Sequence, residues 1–337
     1  MELTIYRQKT RPVEKKEINK TYTAGSNDQL KVDNSFGNIT ISHWNKNEVA
    51  IQVLIETEAR NEQQAQQELE RIDIQTHKSG NTISAITKFR NSKSNKNTKI
   101  TVDYFITLPA GLTLDLKQSF GNINLPQKNQ GITTLDVQYG NIKAGSFTKK
   151  VKIKAQYSNI ELQDVNQLNM DVSYCGDVSV GNGEKVSLKA SYSNATFQKV
   201  TEIDVDKMYG KLQIKQAENV SMDVKYSDTT IDYLTNQLNA KDVSYGPIHI
   251  KELSPDFKDV KIKAHYTTAN IAIPARASFT VNAINLKYGS FSMKGFNTNQ
   301  ESFDEEKTYY KYVVNGGKGG IIFFDGNSYG HIHIQTH

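Results

Sequence analysis

The sequence predicts an all-β fold: a single-stranded parallel β-helix (a β-solenoid) of right-handed coil, with a β-rich N-terminal cap holding one short helix. Three observations predict it. First, an aromatic followed by a small residue returns every 17 to 22 residues, at Tyr139, Tyr157, Tyr174, Tyr192, Tyr209, Tyr226, Tyr245, Tyr266 and Tyr288. Phe36, Phe120 and Tyr329 stand outside that run in the same form, and a fixed short period marks a repeat architecture. Second, residues two and four before each aromatic, and three and five after it, are mostly apolar, as at Ile153, Ala155, Ile160 and Leu162. That is the period-two alternation of half-buried strands.

Third, one polar column alternates in sign. Three residues before the aromatics stand Lys117, Asp136, Lys154, Asp171, Lys189, Asp206, Asp223, Asp242 and Lys263. Stacked in parallel register about 4.8 Å apart, these place opposite charges against each other over most of the ladder. A lone pair of strands cannot bury its apolar face, so the repeats stack, and parallel crossovers favour the right-handed coil. An antiparallel sandwich is the rival reading, but it has no reason to repeat the same aromatic–small pair at one corner.

In order, residues 1–20 are polar and read as a tail or lead-in. Residues 21–118 form the cap, with strands at Leu30–Val32, Phe36–Ile41 and Glu48–Thr57. The Glu/Gln/Ala-rich stretch 58–70 reads as its helix, with Ala59, Ala65 and Leu69 as the apolar stripe. Ile72–His77, Thr82–Arg90 and Lys99–Leu108 alternate as strands, with Asn91–Asn97 a hairpin tip. The solenoid covers 119–295, each repeat being two strands, a bend at the small residue and a looser return loop such as Gly181-Asn-Gly183. The aromatics are expected to form an inward column. Residues 296–337 close the stack: a polar excursion at Asn297–Lys307, a hairpin of Tyr309–Val314 with Ile321–Phe324, and a last rung at Tyr329. The extra residue in Tyr174-Cys-Gly-Asp-Val predicts a bulge. Lys207 and Lys241 fall on inward positions, against the template.

The 337 residues carry a net charge of +5, dispersed without the basic block that tracks phosphates, which argues against nucleic acid. One cysteine, Cys175, excludes an intrachain disulfide and fills a slot that Gly or Ser fills elsewhere. No apolar run is long enough for a membrane helix, and Met1-Glu-Leu-Thr leads directly into a charged segment, without a leader peptide.

The segment Leu30-Lys-Val-Asp-Asn-Ser-Phe-Gly-Asn-Ile-Thr-Ile-Ser-His-Trp-Asn-Lys-Asn-Glu-Val49, the Glu/Gln-rich helix and the tandem Tyr-Gly/Ser-Asn-Ile units resemble a known family. It is the putative-adhesin β-strand-repeat family of bacterial envelope proteins, most familiar from Bacteroidetes and related to the auto-transporter adhesin head (GIN) domains. The resemblance implies a β-helix in an exported protein, at the cell surface, outer membrane or periplasm, with membrane association only through a leader or lipid anchor. It transfers no catalytic residue and no cofactor.

Candidate chemistry is sparse. Asp206, Asp223 and Asp242 break the charge alternation and form either a Ca²⁺ site or a solvated acidic patch. His331 and His333 lie two apart on one outward face, as a metal pair or as solvated strand residues. Trp44 is either a sugar platform or a turn aromatic covering the first rung. Phosphate-loop, dinucleotide and nucleophile-elbow motifs are missing. The reading is a non-enzymatic binding surface for a glycan or an envelope or host-surface protein. A periplasmic scaffold and a carbohydrate-active β-helix enzyme, which needs paired carboxylates in a cleft, are the alternatives.

Overall fold

The structure, a computed structural model, describes residues 11–90, 97–304, 309–326 and 329–337. The chain is all-β with one helix. It divides into two compact units, Met1–Lys143 and Ala144–His337.

In the first unit the charged lead-in is a strand. Val13–Thr23 pairs antiparallel with Glu48–Glu58 along its whole length, and Glu48–Glu58 pairs antiparallel with Lys99–Pro109. An edge strand needs only ladder hydrogen bonds and can keep both faces polar, which is why its composition resembles a tail. Residues 1–10, and residues 91–96 of the expected hairpin tip Asn91–Asn97, lie outside the described residues.

The helix runs Glu62–Arg71, four residues later than its composition suggests. Glu58 is still paired in a strand, and Asn61 caps the first turn by accepting a hydrogen bond from the Gln64 amide at 2.9 Å. Ala65, Leu69 and Glu68 are buried, and Glu68 pairs with Arg71 at 2.6 Å. Ala59 is buried ahead of the helix rather than on it.

Parallel, in-register pairing joins the repeats. Thr133–Gln138 lies beside Thr113–Ser119, and Thr113–Ser119 lies beside Gln29–Ser35. Gln29–Ser35 pairs on its other side with Thr82–Phe89, and Ile39–Trp44 pairs with Lys99–Pro109. Phe36 therefore heads a full rung stacked on that of Phe120. The long stretch between these rungs, with the helix and the antiparallel strands, is an insertion.

In the second unit Ser146–Gln156, Val165–Ser173, Asp177–Ser191 and Asn194–Ser244 pair in parallel register. Ile153 lies beside Met170, Met170 beside Leu188 and Leu188 beside Val205, all at most 2% exposed. Each such side chain contributes on the order of 2 kcal/mol by leaving water. The return segments are not loose. Asn194–Ser244 is strand throughout its 51 residues, with corners at Tyr209 and Tyr226 included, and at Gly181-Asn182 the amides donate to Gln163 O and Asp164 Oδ1 of the neighbouring rung. These turns come from a break in alternation, two exposed residues between buried ones, as at Leu162-Gln-Asp-Val165. The Tyr174 corner absorbs its extra residue before Asp177, where in-register pairing resumes. A register shift between Ala240 and Val243 turns Lys241 outward, which accounts for one lysine against the template.

The end of this unit departs from sequence order. Gly320–Asp325 pairs in parallel with Asp259–His265 on one side and Phe279–Ile284 on the other. His331–Thr336 likewise lies between Thr268–Ile273 and Ser290–Lys294. The Tyr329 rung is thus inserted between the rungs of Tyr266 and Tyr288 and does not close the stack. Tyr309–Val314 pairs antiparallel with Phe279–Ile284 and with Thr298–Asp304. The expected hairpin with Ile321–Phe324 does not form, because Phe279–Ile284 lies between the two strands. The polar excursion is largely the strand Thr298–Asp304, and residues 305–308 lie outside the described residues.

Candidate functional site

The repeated corner reverses the sequence expectation of what faces inward. Every aromatic in the series has a left-handed backbone, with φ between 49° and 65°. A bulky side chain is uncommon there. The turn directs the ring outward, so Tyr157, Tyr174, Tyr192, Tyr226, Tyr245 and Tyr266 are each about half exposed. The next residue faces in: Ser158, Cys175, Ser193, Ser227 and Thr267 are at most 6% exposed. At these five corners it is small because it sits inside the turn, whereas Gly210, exposed and with φ of 100°, carries an unusual dihedral of its own.

The rings form an outer ladder. Phe36, Phe120 and Tyr139 stack at 5.3 and 5.1 Å in the first unit. In the second, Tyr157 through Tyr266, then Tyr329 and Tyr288, stack with centroids 4.6 to 5.3 Å apart. Offset stacks of this kind contribute about 0.5–1.5 kcal/mol per pair, which offsets the left-handed backbone cost of about 1–2 kcal/mol. Partial burial, then the neighbouring Tyr209 and Tyr174, push the Tyr192 phenol up.

The rest of the motif closes the corner's hydrogen bonds. Asn122 accepts from the Asn141 amide at 2.9 Å, Asn159 from Asp177 and Asn194 from Lys211, both at 3.0 Å. Each asparagine oxygen thus holds the amide at the same place in the next rung. Ser158, Ser193 and Ser227 donate to the carbonyl two residues back, at 2.8, 2.8 and 2.9 Å. Cys175 makes the same contact weakly, its sulfur 3.5 Å from Ser173 O, and burial pushes its thiol up. It is a corner residue, and buried.

At the Gly37, Gly121 and Gly210 corners the residue two before the aromatic is a buried polar side chain, Asn34, Gln118 or Lys207. Gln118 Nε2 donates to Gly37 O at 2.7 Å, and buried Asn34 bonds Gln118. Lys207, in the rung of Gly210, is 1% exposed, and its ammonium donates to Ser193 O and to Tyr209 O at 2.9 Å. Burial lowers its pKa to about 8. Lys207 lies beside Ala190 in register, so a small neighbour makes room for it.

The charged column is in register within each unit: Lys117 between Asp33 and Asp136, and Lys154, Asp171, Lys189 and Asp206 in succession. Among the acidic candidates, Lys225 Nζ stands 3.6 Å from Asp223 and 3.2 Å from Asp242. An ammonium thus occupies the position between these carboxylates that a cation would take, and Asp206 is exposed beside Lys189. Asp232 is bridged by Lys215 and Lys251, both at 2.9 Å. Burial raises its pKa, but hydrogen bonds from those lysines outweigh burial and hold the carboxyl below its ordinary range. His331 and His333 accept from or donate to Ser290 and Ser292, at 2.9 and 2.6 Å. No cluster of three or more His, Cys, Asp or Glu suited to a metal exists among the described residues. Trp44 donates to Glu48 O at 2.8 Å under the Lys46 ammonium, so its own turn holds it.

Two open grooves cross several rungs of the second unit. One, of about 700 Å³, is lined by Asp164, Asn166, Asn182, Glu184, Lys199 and Thr201 among others. The other, of about 320 Å³, is lined by Glu202, Asp204, Asn219, Gln237, Asn239 and Lys261 among others. Neither contains an arginine. The sequence signal for them was the pair of exposed residues at each turn, which composition alone assigns to loops.

No family model matches the chain, and no curated protein matches it significantly. Solved structures do. A "putative cell adhesion protein" from Clostridium sporogenes is 12% identical, over 96% of this chain and 100% of that one, with a TM-score of 0.22. A "putative adhesin" from Parabacteroides distasonis is 12% identical, over 77% and 93%, with a TM-score of 0.31. A "putative lipid binding protein" from the same organism is 14% identical, over 76% and 96%, with a TM-score of 0.35. Likenesses at this level carry no weight for function. Among the described residues no helix is long and apolar enough to cross a membrane.

Proposed function

We propose that the rungs wind as a single-stranded parallel β-solenoid whose outer face binds an extended glycan without catalysis. One observation carries this reading: two shallow grooves lined by rows of amide, carboxylate, hydroxyl and ammonium groups that repeat from rung to rung. Such groups donate to and accept from sugar hydroxyls. A row at strand spacing offers many weak contacts, whose combined avidity compensates for shallow sites. A hydrolytic reading would need convergent carboxylates in an enclosed cleft, and nothing in these open grooves favours it. The protein is exported in this reading and works at the cell surface or in the periplasm.

The test is affinity electrophoresis through gels containing soluble neutral or anionic polysaccharides. The wild type is compared with Asn182→Ala/Glu184→Ala and with Asn219→Ala/Gln237→Ala. Retardation of the wild type, lost in these variants while their thermal melting is kept, supports the reading. Equal mobility in every gel overturns it. Protease shaving of intact cells separates surface from periplasm: loss of the protein places it outside, and protection until the outer membrane is opened removes the adhesive role.

A further inference from the structure

We propose that the second unit contains a strand-exchange slot, and that its occupant in oligomers is the C-terminal segment of a second copy of this chain. The rungs at 259–273 and 279–294 are consecutive in sequence, yet Gly320–Asp325 and His331–Thr336 lie between them. Each inserted strand pairs in parallel on both edges: Val260 and Val281 both face Ile322, and Ala269 and Phe291 both face Ile332. Ile322, Phe324, Ile332 and Ile334 are at most 1% exposed. The Tyr329 ring stands 5.2 Å from both Tyr266 and Tyr288 and continues the outer ladder through the insert.

Before that segment arrives, the two flanking rungs present facing edges with unpaired amides and carbonyls, a template for any strand of matching pattern. The matching strand exists in every other copy. Exchange of an identical element preserves each contact and changes only which chain supplies it, so it is a low-cost route to oligomers. A hinge stands at the start of the segment. Asn315, Gly316 and Gly317 have φ of 48°, 86° and 61°, and Asn315 is tied to Ala275 O and Ala277 O at 2.9 Å. Opening there releases both inserted strands together. In dilute solution the tethered segment wins, its effective concentration being about millimolar. Refolding at high protein concentration brings the copies into competition. This inference is independent of the glycan reading.

The test uses two full-length chains, both carrying Cys175→Ser so that no native thiol remains. One also carries Asn270→Cys and the other His333→Cys, positions that face each other in register. Parallel neighbours at strand spacing lie within disulfide reach. The two chains are unfolded, mixed, refolded together at high concentration, oxidised and run on a non-reducing gel. A covalent heterodimer from this sample, with little from chains refolded separately and then mixed, supports exchange. A single chain with both cysteines must cross-link within the monomer, which reports that the variants fold and the geometry permits the bond. If that monomer cross-links while the co-refolded mixture yields no heterodimer, the proposal is wrong. Equal heterodimer from both mixing orders also overturns it, because surface collision would then be the cause.

Discussion

Lys207→Met isolates the energetics of the buried ammonium. In the folded protein burial lowers the Lys207 pKa from 10.5 to about 8. That difference of about 2.5 units corresponds to roughly 3 kcal/mol at 1.36 kcal/mol per unit. The sign follows from proton counts. Below pH 8 both states hold the proton and the full cost of burying the charge opposes folding. Between pH 8 and 10.5 the unfolded chain holds more protons, so the Lys207 contribution to stability rises with pH. At pH 7 the substitution removes that cost but leaves Ser193 O and Tyr209 O without their donor, at about 1–3 kcal/mol each. The two effects oppose each other, and at pH 7 the variant lies between about 1 kcal/mol more stable and about 3 kcal/mol less stable than the wild type. At pH 10 the largely neutral amine still donates, so the wild type exceeds the variant by up to roughly 3 kcal/mol more than at pH 7. Urea unfolding followed by circular dichroism, on both proteins at both pH values, gives the difference, and the ladder tyrosines cancel because both proteins carry them. A gap between the two proteins that stays constant from pH 7 to 10 would refute the buried-charge account.

Other outcomes are equally definite. A Cβ at Gly140 would lie 1.8 Å from Gly121 O, so Gly140→Ala forces two rungs apart; we expect a loss of about 3 kcal/mol or more, whereas Gly25→Ala, with nothing within 4 Å, stays within about 0.5 kcal/mol by thermal melting. Tyr174→Ala removes two stacking partners from an exposed site and costs about 1–3 kcal/mol, while Met170→Asp buries an unpaired charge and prevents folding at 37 °C; equal soluble yields from the two would contradict the outward ladder. Asn194→Leu leaves the Lys211 amide without its acceptor and lowers stability by about 1–3 kcal/mol, whereas Asn194→Asp keeps an acceptor and costs less in the same denaturation assay. Calcium titrated into the wild type leaves the melting temperature unchanged, because Lys225 occupies the position between Asp223 and Asp242; a rise lost in Asp242→Asn would restore the metal reading.

The sequence by itself determined that the chain is all-β, where most strands lie and which polar residues share a column. Alternation and a repeat near 18 residues are local signals, and parallel register follows once identical units stack. The side on which the aromatics stand was not legible. Parity read forward from Ile153 and Ala155 puts Tyr157 inside, and parity read back from Ile160 and Leu162 puts it outside. The left-handed residue at the corner resolves that conflict, and the stacking that offsets its backbone cost is a contact made between rungs. Lys207 is legible only as an anomaly, since its partners are backbone carbonyls and the room for it comes from Ala190 and Gly210. Rung order lay furthest out of reach. The Phe36 and Tyr329 motifs look like outliers in sequence, and only non-local strand pairing places one on Phe120 and the other between Tyr266 and Tyr288. Every rung carries nearly the same inward pattern, so periodicity cannot distinguish one neighbour from another; complementary edges and end-of-chain packing make that choice.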